Sequence, residues 1–159
     1  MPVGGPGPQQ LRDLSVRLKA MGKEGQGLRR ELYRAIDEAS KPFARKVTAA
    51  DYLYPYMPDR YADVLASDMK VTAQKRGGER ASVALKAQGR LHRREVQRIN
   101  AGLLRHPVFA RGLRADWAWK SQIAGMRPGF FTDAAREAAP GIRDRVAQAC
   151  HDVGRKITS

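Results

Sequence analysis

The sequence predicts an α+β fold, a small antiparallel sheet packed against a long N-terminal helix and a C-terminal helix. Three stretches carry that expectation. Apolar residues recur at helical spacing from Leu28 to Val47, and again from Ile142 to Ile157. Between them, from Met69 onward, apolar and polar residues alternate. A change of period from about 3.6 to 2 is a change from helix to strand.

The elements follow in order. Residues 1–10 hold three glycines and three prolines and read as a disordered arm. Residues 11–159 are then expected to form one domain. Leu11, Leu14, Leu18 and Met21 mark one face of a short first helix. Gly22, Gly25 and Gly27 follow, and each costs a helix about 1 kcal/mol relative to Ala, so a break or hinge is expected there. Leu28, Leu32, Ile36, Ala39, Phe43 and Val47 define a long amphipathic helix, with Arg29, Arg30, Arg34, Asp37, Lys41 and Arg45 opposite. Pro42 is expected to kink or restart it. Asp51 to Arg60, with two prolines and three tyrosines, reads as an extended packed loop.

Met69, Val71 and Ala73 alternate with Lys70, Thr72 and Gln74, and Ala81, Val83, Leu85 and Ala87 alternate likewise. Lys75 to Glu79 supplies the turn of a hairpin. Glu95 to Asn100 is expected to be a third strand, and residues 101–131 a long loop region. The last helix is expected to start near Thr132 as N-cap, with Glu137 favouring its positive end and Pro140 at a possible restart. Cys150 lies within its stripe and reads as a small buried apolar residue. As the one cysteine it forms no intrachain disulfide, so packing must hold the fold.

Composition excludes several function classes. No run approaches the roughly 18 apolar residues of a membrane span, and residues 1–10 hold no apolar core segment, so a secretory signal is not expected. His92, His106 and His151 stand far apart, no pair has metal spacing, and there is no CxxC. No nucleophile elbow or phosphate-cradling glycine loop is present. The chain is therefore expected to be no enzyme and to need no metal or cofactor.

The net charge is +14. Such a charge opposes compaction, and a counter-charged partner would relieve it. From Lys70 to Lys120 there are 13 Lys and Arg against Glu79, Glu95 and Asp116, a local +10. Arg90, Arg93, Arg94, Arg98, Arg105, Arg111 and Arg114 admit three readings: a solvated face, a docking surface for acidic neighbours, or contact with nucleic-acid phosphates. No sequence-reading DNA or RNA motif accompanies them. Leu103, Leu104, Val108, Phe109, Trp117, Trp119, Phe130 and Phe131 interleave with this charge. Large aromatics in loops either tuck over the core or fill a partner's pocket, and Trp and Arg are enriched at interface hot spots.

Gly102-Leu-Leu-Arg-His-Pro-Val-Phe109, then Trp117, Gln122 and Pro128-Gly-Phe-Phe131 before a terminal helix, carry a resemblance to the tail-component (tail-completion, head–tail joining) proteins of long-tailed bacteriophages, of the actinobacterial phage and prophage type. It spans about Leu11 to Ile157. Many members carry a Thr-Gly-x-Leu signature before the first strand, and here Pro58 to Leu65 has no Thr-Gly. The resemblance implies a virion protein of the neck or tail, assembled in the host cytoplasm as part of a homo-oligomeric ring. Its partners would be other neck and tail proteins (connector or stopper, tail terminator, tail tube), with possible contact to packaged DNA and none to membrane. The contact residues it implies are Arg98, Leu104, Arg105, His106, Phe109, Arg111, Arg114, Trp117, Trp119, Phe130 and Phe131. The alternative is a nonspecific nucleic-acid-binding protein driven by the positive charge.

Overall fold

The apolar stripes and the alternating segment become helices and a hairpin in the computed structural model, which describes residues 8–90, 95–108, 118–122 and 126–158. Helices α1 (Pro8–Ala20), α2 (Gly22–Val47), α3 (Ala50–Leu53) and α4 (Asp59–Asp68) lead into strand β1 (Met69–Arg76). A one-turn 3₁₀ helix, Gly78–Arg80, joins β1 to β2 (Ser82–Gly89). Then come α5 (Glu95–Asn100), β3 (Leu104–Val108), β4 (Ala118–Gln122) and α6 (Phe130–Thr158). The fold is α+β, as the periods predict. Pro8 to Gln10, expected in the arm, belong to α1, and residues 1–7 lie outside the described residues.

The chain divides into two compact units. The first holds the described residues up to Ala44, with Val71–Lys86 and those from Ala135 on. Its core joins Leu14 and Leu18 of α1, Leu32 and Ile36 of α2, and Ala149, Cys150 and Val153 of α6, with Ala73 and Val83 of the hairpin packed against them. The small sheet thus rests on the long helices. Burial alternates along both strands, so one ribbon face is covered and the other is wet. At the hairpin tip, Gly78 N–H donates to Ser15 Oγ of α1 at 2.7 Å. Asp37 on α2 meets Lys75 on β1 at 2.5 Å, and Lys75 also lies over the Tyr33 ring.

The glycine cluster breaks the helix once. Gly22 has φ +60°, a left-handed conformation that ends α1's path and starts α2. Gly25 and Gly27 are inside α2, contrary to the expected wider break. A Cβ on Gly25 would stand 1.9 Å from the Leu18 carbonyl oxygen, so this glycine lets two helices touch. Both long helices run on through their prolines, Pro42 and Pro140, which lie exposed.

The second unit holds residues 45–70 and the described part of 87–134. Here three expectations are corrected. The Asp51–Arg60 loop is partly helical, in α3 and at the start of α4. In α4, Ala62 and Leu65 are buried at a spacing of three, and Asp59 places a negative charge in its first turn. Glu95–Asn100 is helix α5, not a third strand, because buried Val96 and Ile99 stand three apart, on one helical face. The region 101–131 is not all loop. Its β3 and β4 pair antiparallel, from Leu104 opposite Gln122 to Val108 opposite Ala118. Pro107 stands opposite Trp119 in this register.

Candidate docking surface

The segment that carries the resemblance is built outward from α5. Gly102 closes this helix with φ +77°, and a Cβ there would meet Pro128 at 3.2 Å. Leu103 N–H donates to the Arg98 carbonyl at 2.8 Å, and β3 departs from that turn. After β4 the chain returns to α5. Gly129 N–H donates to the Asn100 carbonyl at 2.8 Å. Asn100 Oδ1 then accepts the N–H groups of Phe131 at 2.9 Å and Thr132 at 3.2 Å. The first turn of α6 is therefore capped from another helix. Thr132, the expected N-cap, is already two residues inside α6.

Two tyrosines of the Asp51–Arg60 segment hold the other side of this junction. Tyr52 OH donates to the Phe130 carbonyl at 2.7 Å. Arg127 N–H donates to the Tyr56 carbonyl at 2.6 Å, and the Arg127 guanidinium lies 5.8 Å from the Tyr56 ring centre. The Tyr52 and Tyr56 rings are 5.4 Å apart. These aromatics are spent on bracing the entry to α6. Nearby, Tyr54 donates to Asp63 at 2.9 Å, and that bond to a carboxylate raises the phenol's pKa.

The predicted contact residues part company. Arg98 is exposed on α5. Leu104, Arg105 and His106 lie on β3, in register with Gln122, Ser121 and Lys120, and Trp119 is on β4. Phe130 is fully buried and offers nothing to a partner, because it packs as core at the start of α6. Phe131 is half-buried, edge-on to Phe130 with ring centres 6.4 Å apart. Phe109, Arg111, Arg114 and Trp117 lie outside the described residues. The bracing roles of Asn100, Tyr52 and Tyr56 went unread in the sequence. A Pro-Gly pair just before a helix was the one signal of a first turn capped from elsewhere.

Among the described residues, no group of three His, Cys, Asp or Glu is placed to hold a metal ion, and no helix is long and apolar enough to cross a membrane. A groove of about 450 Å³ in the first unit is lined by Asp13, Leu14, Arg17, Cys150 and His151, among others. Burial pushes the Cys150 thiol up to about 11, the opposite of an activated thiolate. Comparison of the chain with protein-family models, with curated proteins and with solved structures finds no match in any of the three.

Proposed function

We propose that this chain is a non-enzymatic structural protein of a long-tailed phage particle. It works in the head–tail connector (neck) or tail-completion complex, as one subunit of a ring between the portal and the tail tube. The observation that carries this reading is the junction at Asn100. The Gly102–Val108 and Pro128–Phe131 motifs, 20 residues apart in the chain, meet there and hold the β3–β4 ribbon between them. A long helix, a hairpin, a glycine-containing segment and a Pro-Gly-Phe-Phe motif before a final helix follow in the order of parts the resemblance implies. The ribbon and its connections supply the docking surface, where Arg105, Arg111 and Trp119 meet acidic and apolar groups on neighbouring subunits. Arginine suits such a place because its planar fork pairs bidentately with carboxylate.

Cryo-electron microscopy of particles carrying this chain tests the reading. Density for the chain as a ring at the head–tail junction is the expected result, and intact tailed particles lacking the chain would refute it. Charge reversal of Arg105 and Arg111 to Glu is expected to leave heads and tails unjoined. Normal joining by that variant would sink the arginine-driven part of the proposal.

A further inference from the structure

The solvent face of α2 carries a line of charged residues in which three cations make no ion pair among the described residues. Lys23, Gly27, Arg30, Arg34, Glu38 and Lys41 recur at spacings of four, three, four, four and three, and all six are exposed. That is one edge of a helix. The helix has four acids of its own, Glu24, Glu31, Asp37 and Glu38. Three of them are engaged by lysines: Glu31 by Lys156, Asp37 by Lys75, and Glu38 by Lys41. Lys23, Arg30 and Arg34 make no ion pair among the described residues. The exposed side of α6 carries cations too. There Arg143 and Arg145 flank Asp144, and Arg155 pairs with Asp152 at 2.7 Å.

We infer that the Lys23–Arg30–Arg34 edge of α2 is a sequence-independent contact for the phosphate backbone of a nucleic acid. Two features select this partner over an acidic protein. A protein interface needs an apolar centre that excludes water, and this edge contains no apolar side chain. A polynucleotide needs only charge at reach, since released counterions drive its binding. From Lys23 to Arg34 the helix rises about 17 Å, a length over which a duplex carries about ten phosphates. Gly27, between the cations, has no side chain to hold the backbone off. The edge lies in the first unit and the β3–β4 surface in the second, so either can fail alone.

The test is a salt titration of the full chain binding a 20-base-pair DNA duplex, followed by fluorescence anisotropy. Each phosphate contact contributes about 0.9 to the slope of log affinity against log salt. The expected result is that Arg30→Gln with Arg34→Gln shrinks the slope by about 1.8, while Arg143→Gln with Arg145→Gln, an equal loss of charge, shrinks it by less than half as much. Arg30→Lys with Arg34→Lys is expected to keep the slope, which separates lost charge from lost folding. Equal losses from the α2 and α6 pairs would overturn the inference, as would tighter binding to polyglutamate than to DNA. No measurable DNA binding would overturn it as well.

Discussion

Asn100 caps a helix that starts far from it in sequence: its Oδ1 accepts the N–H of Phe131, 31 residues along the chain, at 2.9 Å. The same oxygen accepts the N–H of Thr132, and the Asn100 carbonyl accepts that of Gly129. One residue thus satisfies three donors at the entry to α6, where backbone groups otherwise lack partners. Asn100→Ala removes the cap and is expected to cost about 1–2 kcal/mol. Asn100→Asp keeps the acceptor and adds a charge that the helix N-terminus favours, so it is expected to be close to wild type. Urea denaturation of both variants checks this. Equal stability of Asn100→Ala and the parent would show that the cap contributes nothing.

Gly25 and Gly27 are two residues apart on the same helix and are expected to respond oppositely to alanine. At Gly25 the new Cβ would meet the Leu18 carbonyl at 1.9 Å, so α1 and α2 must separate and the protein is destabilised by more than about 1 kcal/mol. At Gly27 nothing lies within 4 Å, and alanine is expected to stabilise by about 0.5–1 kcal/mol through helix propensity. Thermal melts of the two variants decide it. A shared direction of change would contradict the close packing of α1 on α2.

The hairpin tip is anchored through Ser15, which is buried on α1 and accepts the Gly78 N–H at 2.7 Å. Ser15→Ala leaves that donor short of its partner and is expected to cost about 1 kcal/mol. Amide exchange at Gly78 is expected to rise in the variant more than exchange in the core of α6. Unchanged protection at Gly78 would mean another group holds the tip.

Cys150 gives a pH dependence with a definite sign. Burial raises its thiol from 9.0 to about 11. The protonated form is thus favoured in the folded state. Its contribution to stability is fully present below pH about 9 and is lost as pH rises from there through about 11. At pH 8 the thiol is expected to react with iodoacetamide on the order of a hundredfold more slowly than an unhindered cysteine, and at the ordinary rate once urea unfolds the chain. Rapid modification of the folded protein would contradict the buried site.

Much of the fold was legible because local period and burial agree. The stripe from Leu28 to Val47 is helix α2, and its members Leu32, Ile36, Ala39, Phe43 and Val47 are all buried. The alternation from Met69 to Ala87 is a hairpin with one face covered. The second unit was harder to read. Val96 and Ile99 offer one interval of three, too short a run to separate helix from strand. Leu104–Val108 contains a proline, which argues against a strand until its partner is known. Of the contact residues, Phe130 was ambiguous for the same reason: an aromatic before a helix is core or anchor according to what lies over it.

The sequence by itself determined the α+β class, the two long amphipathic helices, the hairpin and the excess of positive charge, because each is written in a residue pattern repeated over several turns. Only the tertiary structure decided that Asn100 caps α6, that Gly25 serves helix contact, and that Phe130 is core. It also decided which cations stay uncompensated. Lys75, Lys156 and Lys41 take the carboxylates of Asp37, Glu31 and Glu38, and two of those three pairs join residues from different elements. Contacts of that kind depend on which side chains the fold brings within a few ångströms, and no local period encodes them.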